Sequence, residues 1–261
     1  MSRVIYTYDG SLEGYFTVVF RAFQDKQEPE AILSRNRQLQ MPIGELIHVD
    51  TNPLEADRVR RGIVKHSDER NARLLHVAFL SEQPETDMLL WRYLCKLFEA
   101  PAGHFFKNML DADVYGLVQT ARRVRREVHR FHGFVRFQKT ADNMYVAAID
   151  PDHDIVKLLG PHFKSRFPER HWLIYDLRRN RGIYFDTREI RAVEMQNPAF
   201  DLTKGTLHQH ARAMDEDYYV TLWQHYYDAI NIMERKNHRQ MRASMPRRYW
   251  KYMPEKRSGY K

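Results

Sequence analysis

Cysteine is nearly absent from this chain. Cys95 is the only one in 261 residues, so no disulfide forms within the chain. No cysteine cluster can hold an iron–sulfur group or a structural zinc. Its apolar, helix-like surroundings read as those of a buried thiol. No apolar run reaches the roughly 18 residues that a membrane-spanning helix needs, and the opening MSRVIYTYDG lacks the apolar core of a signal peptide. The expectation is a reduced, soluble, cytoplasmic protein. Familiar catalytic strings are missing too. The chain has no GxSxG nucleophile turn, no GxxxxGKS/T phosphate loop, no GxGxxG dinucleotide turn and no PCxxC deaminase motif. Neither an internal repeat nor a low-complexity tract is present, and nothing calls for a cofactor.

What is present is apolar enough to fold. Hydrophobic residues make up 43% and aromatic residues 13% of the chain, sufficient to bury a core in one large domain or two small ones. The net charge of +8 is unevenly placed. Residues 235–261 hold ten Lys/Arg and one acid, and residues 121–139 hold seven Lys/Arg and one Glu. The rest of the chain is therefore acidic, with a balance of −7. Two basic patches on an acidic body favour a polyanion partner, since each neutralised phosphate releases counterions. The plainer alternative is a solvated basic face.

The pattern along the chain predicts an α+β fold. Val4 to Tyr8 reads as a short strand ended by the turn Asp9-Gly10, and Ser11 as the cap of a helix bearing Leu12, Phe16, Val19, Phe20 and Phe23. Residues 24–43 read as loop, with a helical turn at Ala31 to Leu33. Helices are expected to start at Asn52-Pro53, Ser67-Asp68 and Pro84-Glu85. Ala100 to Gly103 is the linker candidate, and Asp111 caps a further helix. A four-stranded, mainly antiparallel sheet should follow, as two hairpins around one helix and covered by helices. The first hairpin joins residues 132–138 to Met144–Ile149 across Lys139–Asn143. The second joins Trp172–Leu177 to Ile183–Asp186 across Arg179–Gly182. The helix between them carries Ile155, Leu158, Leu159 and Phe163, with Gly160-Pro161 expected to kink it. Residues 187–213 read mostly as loop. Asp215 to Asn237 reads as a final helix with Tyr219, Leu222, Trp223, Tyr226, Ile230 and Met233 facing the core. The implied organisation is a mostly helical part over 1–103, an α+β core over 104–240 and a basic tail over 241–261.

Two groups of residues carry the candidate chemistry. Asp150-Pro151-Asp152-His153-Asp154 has the acids and imidazole of a general acid–base pair, and the same residues make a good helix start. His129, with Asp150, Asp152 and His153, completes the weak catalytic candidates. His129-x-x-His132 straddles an expected helix-to-strand change, so its spacing implies no shared face, and His208-x-His210 has no ligand partner of recognised spacing. No metal is expected. The basic patches mix guanidinium groups with flat rings, a combination that clamps phosphates and stacks on unpaired bases. They comprise Arg122, Arg126, Arg130, Phe134 and Arg136, then Arg166 and Arg170 around Phe167-Pro168, then Arg247, Arg248, Tyr249, Trp250 and Lys251. Tyr249 and Trp250 also suit a C-terminal staple packed on the core, a reading compatible with binding.

Five blocks, in order, carry a resemblance: YDGSLEGYFTVVF, REVHRFHGFVRF, PDHDIVKLLGPHF, RFPERHWLIYDLRRNRGIYFD and MPRRYWKYMPE. They resemble the bacterial "probable DNA metabolism protein" family, a domain that also occurs fused to uracil-DNA glycosylase-like domains. The resemblance implies DNA as ligand and a radical S-adenosylmethionine repair or modification protein as partner. This chain lacks the CxxxCxxC motif of such an enzyme, so the resemblance makes it the companion. It implies no reaction and no catalytic residues. Enzymatic work on DNA or a modified base through a His/Asp pair, and docking of an acidic protein partner, stay open beside it.

Overall fold

The computed structural model describes residues 4–35, 45–195, 200–201, 205–229 and 237–259. The chain divides into two compact units, Met1–Arg125 and Arg126–Lys261. The division falls inside the helix Ala112–Phe134 and not at the Ala100–Gly103 stretch.

In the first unit β1 (Val4–Tyr8) leads through the Asp9-Gly10 turn into α1 (Leu12–Gln24). Ser11 caps α1 by accepting from the Gly14 amide at 2.9 Å. Gly14 has no room for a side chain, because an added Cβ would sit 2.3 Å from Asp9 Oδ1. β2 (Ala31–Ser34) and β3 (Glu45–His48) flank β1 in a three-stranded parallel sheet ordered β2-β1-β3. This sheet corrects the mostly helical expectation, and Ala31 to Leu33 is strand where a helical turn was expected. Parallel pairing joins residues far apart in the chain, Ile5 with Ala31 for example, and four residues are too few to show a period. β1 is buried at all five positions, as befits a central parallel strand.

Three helices follow, α2 (Pro53–His66), α3 (Glu69–Phe79) and α4 (Thr86–Glu99). Asn52 caps α2 and Asp68 caps α3. Asp111 accepts from the Asp113 and Val114 amides at the start of α5 (Ala112–Phe134). Their inner faces meet around Tyr15, Ile63, Leu75, Leu90, Tyr93 and Leu94, each fully buried. Cys95 is half-buried, and burial, followed by Glu99 and Glu28, pushes its thiol up to about 11.

Tyr93 supplies a prediction for this unit. Its hydroxyl donates to Asn71 Oδ1 at 2.9 Å, and burial pushes its pKa up to about 12. A raised phenol contributes stability that is complete below the unfolded pKa near 10 and is lost as pH climbs from there to the folded value. Chemical denaturation at pH 9 and pH 11.5 should differ by about 2 kcal/mol from this residue, and Tyr93→Phe should remove that share of the difference.

The second unit is built on a five-stranded sheet. Its strands are β4 (Gln138–Lys139), β5 (Tyr145–Ile149), β6 (Trp172–Asp176), β7 (Arg181–Phe185) and β8 (Ile190–Val193), in that order across the sheet. Two antiparallel hairpins exist, β4 with β5 and β6 with β7, although β4 shares only Gln138 with the expected strand 132–138. The expected four-stranded, mainly antiparallel sheet is corrected on two points. β5 and β6 pair in parallel, because α6 (Val156–Arg166) carries the chain back over the sheet to start β6 in the same direction. A fifth strand, β8, pairs antiparallel with β7. It lies in the stretch read as loop because its side chains are exposed or half-buried and show no apolar alternation.

Pro161 lies inside α6. α6 covers the face bearing Trp172, Ile183 and Phe185, with its Phe163 ring 6.3 Å from Trp172. The opposite face buries Val146, Ala148, Leu173 and Tyr175 with Leu207. β7 passes so close to β6 that a Cβ on Gly182 would lie 2.6 Å from the Ile174 carbonyl. Two further short strands, β9 (Phe200–Asp201) and β10 (Thr206–Leu207), pair with each other, again within the stretch read as loop.

Helix α5 continues to Phe134, so His132 and Phe134 are helical where a strand was expected. The buried spacing Ala121, Val124, Phe131 carries the helical period through the HGF segment. α7 (Glu216–Ala229) is a further correction. Tyr218, Tyr219, Leu222 and Tyr226 on it are half or more exposed and Trp223 is 37% exposed, so these side chains do not enter the core. The helix touches the C-terminal segment through Gln224 and Tyr227 instead. Ile230 and Met233 lie outside the described residues. The short α8 (His238–Ser244) and the 3-10 turns Arg247–Tyr252 and Pro254–Gly259 complete the unit. Among the described residues no helix is long and apolar enough to cross a membrane.

Candidate nucleic-acid interface

The acidic segment after β5 is not a helix cap. α6 begins at Val156, its cap residue is Ile155, and no side chain caps it. Asp150, Asp152 and Asp154 instead receive cations from elsewhere in the second unit. Asp150 takes Arg178 at 3.0 Å and Lys251 at 3.5 Å, Asp154 takes Arg181 at 2.6 Å, and Asp152 takes Arg248. Beneath them Arg179 is clamped by Asp176 at 2.7 Å and by the carbonyls of Pro151 and Asp152. Asp176 is fully buried, and desolvation holds its carboxyl above the usual range despite that arginine.

Glu127 organises the other side of the segment. It is 4% exposed and accepts from the Asp152 and His153 amides, each at 2.9 Å, and from the Tyr249 hydroxyl. Tyr249 is 1% exposed, with its ring 4.9 Å from Phe131. Burial, reinforced by Glu127, holds its phenol well above the usual range. Trp250 and Tyr252 are buried as well, and Trp250 donates to the Met245 carbonyl at 3.0 Å. The aromatic tail is therefore packed as a staple on the core. Two of its cations, Arg248 and Lys251, pair with Asp152 and Asp150, while Arg239, Arg242 and Arg247 are exposed.

The histidines regroup. His153 is buried at 8% exposure and His129 is exposed, so the two do not share one open cleft with Asp150 and Asp152. His129 and His132 are both on α5, with ring centroids 6.4 Å apart, which corrects the expectation that no face joins them. His132 stacks on His162 at 4.0 Å with the planes 9° apart. Burial, then His162 and His129, hold the His132 pKa below the ordinary value. Among the described residues no group of His, Cys, Asp and Glu is arranged to hold a metal.

A cavity of about 640 Å³ opens beside this histidine pair. Phe137, Tyr145, Trp172 and Trp223 line it together with Arg136, Arg166 and Arg170. Arg136 is committed to Glu255 at 2.6 Å and lies over the Trp223 ring at 5.2 Å. Arg166 and Arg170 are exposed and lie over Phe167 and Tyr145 at 5.7 and 5.8 Å. Among the described residues neither has a carboxylate partner. The indole of Trp172 is buried and its Nε1–H has no acceptor there, and His132 Nε2 is also buried without a partner. A buried donor without an acceptor costs about 1–3 kcal/mol, which is atypical of a finished core.

A family model described as a domain of unknown function, DUF4130, matches residues 84–255. The chain belongs to the DUF4130 family. No curated protein and no solved structure matches it. The matched region of this DUF4130 protein contains the five-stranded sheet, the acidic segment, the cavity and the buried aromatic tail.

The predicted binding residues therefore separate into groups. Arg122 and Arg126 are exposed on α5 one turn apart. Arg130 donates to the Ala243 carbonyl at 3.0 Å, and Phe134 packs against Phe131 and Tyr249. Arg136 and Arg166 line the cavity. Arg247 lies over the Trp250 ring and Lys251 over the Tyr252 ring. Tyr145, Trp172 and Trp223 were not among the candidates. They come from two strands and a helix, and no local string in the sequence marks them as neighbours.

Proposed function

We propose that this DUF4130 protein is an accessory nucleic-acid-binding protein that works with a partner enzyme in a bacterial DNA repair or modification system. The observation that carries the reading lies in the second unit. Arg126, Arg166 and Arg170 are exposed without a carboxylate partner among the described residues, whereas Arg178, Arg181, Arg248 and Lys251 are paired with Asp150, Asp152 and Asp154. Arg166 and Arg170, left open at an aromatic-lined cavity, suit a strand with unpaired bases, phosphates meeting guanidinium groups and bases meeting rings. The exposed rings of α7 add apolar area of the kind that protein partners cover, in keeping with an accessory role.

Three phosphate contacts on a single strand predict a salt slope of about −2. Fluorescence anisotropy with labelled single-stranded and duplex DNA should show affinity falling roughly tenfold or more between 50 and 200 mM salt. Absence of binding to either DNA at the lower salt overturns the reading.

A further inference from the structure

We propose that the cavity between α6, β5, β6 and α7 is a pocket for one nucleotide, its base lying among Phe137, Tyr145, Trp172 and Trp223 and its phosphate meeting Arg166 and Arg170. The nucleotide is either free or carried as an unpaired residue of a strand. In the second form the inference rests on the nucleic-acid reading above.

Four features of the cavity select this chemistry. Its volume of about 640 Å³ falls within the roughly 300–1,000 Å³ of small-molecule sites. Its aromatic lining offers flat faces, and every base has a flat face to stack on them. Trp172 is 1% exposed, so its ring closes the cavity as a fixed flat wall. Arg166 and Arg170 are held over rings and have no carboxylate partner among the described residues, so both forks remain open to phosphate oxygens. Inorganic phosphate alone would leave the aromatic lining unused, and an apolar compound would leave the arginines unused.

Arg136 has a different task. Its guanidinium is occupied by Glu255, whose side chain is 1% exposed, and by the Gly133 carbonyl. Its place over Trp223 fixes that ring as one wall. His132 and His162, stacked on each other, also line the cavity. A smaller recess of about 410 Å³ shares Arg136, Phe137, Tyr145 and Trp223 and adds Tyr219 and Lys139. It gives a neighbouring residue of a strand a place to follow.

The test is calorimetric titration of the full chain with the four deoxynucleoside 5′-monophosphates and with inorganic phosphate, for wild type, Trp223→Ala and Arg166→Ala. Both substituted side chains are exposed enough for the fold to tolerate the change. A second arm binds a single strand containing 2-aminopurine, whose emission reports stacking. Nucleotide binding at least tenfold tighter than phosphate binding, and weakened at least tenfold by either substitution, supports the pocket. So does 2-aminopurine quenching that Trp223→Ala abolishes. If strands bind while free nucleotides do not and the 2-aminopurine emission is unchanged, the pocket is overturned and the nucleic-acid reading stands. If nucleotides bind but neither substitution alters the affinity, the location is overturned. If nucleotides bind as expected and strands do not, the pocket stands as a site for a free nucleotide and the nucleic-acid reading falls.

Discussion

Glu127→Ala should lower the melting temperature of the protein by about 10 °C. The carboxylate is buried and accepts from two backbone amides, at Asp152 and His153, and from the Tyr249 hydroxyl. Alanine leaves all three donors without an acceptor in a space water does not reach. Each orphan costs about 1–3 kcal/mol, and allowing for relaxation the sum is on the order of 3–5 kcal/mol. For a unit of this size each kcal/mol lowers the midpoint by about 2–4 °C. Tyr249→Phe removes one of the three bonds and should cost about 1 kcal/mol. The two substitutions together should cost less than their sum, since the phenol is one of the donors that Glu127→Ala orphans. Thermal unfolding of the two single variants and the double variant checks this. A Glu127→Ala protein that melts within 2 °C of wild type would mean that the segment and the tail are held by something else.

The second large effect concerns where nucleic acid sits. The double variant Arg166→Ala/Arg170→Ala should weaken single-strand binding by at least tenfold and flatten the salt slope by about 1.4, two contacts' worth. Arg248→Ala should act differently. Its guanidinium is taken by Asp152 and by the Tyr249 oxygen, so removing it loosens the tail and changes DNA affinity by less than threefold. The pair is half-exposed, and its own contribution to stability is at most about 1 kcal/mol. Part of the basic tail, Arg248 and Lys251, thus acts as an internal brace. The binding surface is assigned to Arg166 and Arg170, the pair that flanks Phe167-Pro168 in the sequence.

Local structure was legible wherever a cap or a period wrote it. Ser11, Asn52, Asp68 and Asp111 are each placed at helix starts by side-chain chemistry that acts within three residues. The hairpin turns were legible in place, although Lys139, Arg181 and Gly182, read as turn, lie in strands. Direction across the sheet was not, because two hairpins joined by a helix read the same whether the join is parallel or antiparallel. Only the crossover of α6 decides it. The Asp150–Asp154 segment shows how strong local logic loses to distant partners. Its residues make a good helix start, yet Arg178, Arg181, Arg248 and Lys251 arrive from up to a hundred residues away and claim its carboxylates. Charge counted along the chain does not show pairing, since two of the tail's cations, Arg248 and Lys251, meet the acidic segment once folded. The rings of the cavity come from positions 137, 145, 172 and 223, separations at which sequence pattern carries no information about contact. α7 reads as a core helix because its rings follow a helical period, and period alone does not say whether a face is covered.

The most direct test of the central claim is the anisotropy titration of single-stranded DNA at 50 and 200 mM salt with three proteins: wild type, Arg166→Ala/Arg170→Ala and Arg248→Ala. The account predicts salt-sensitive binding by wild type, a loss of tenfold or more in the Arg166/Arg170 variant and near-wild-type affinity for Arg248→Ala. Affinity unaffected by the Arg166/Arg170 change, or lost with Arg248→Ala in a protein that still folds, would contradict it and return the interface to the tail.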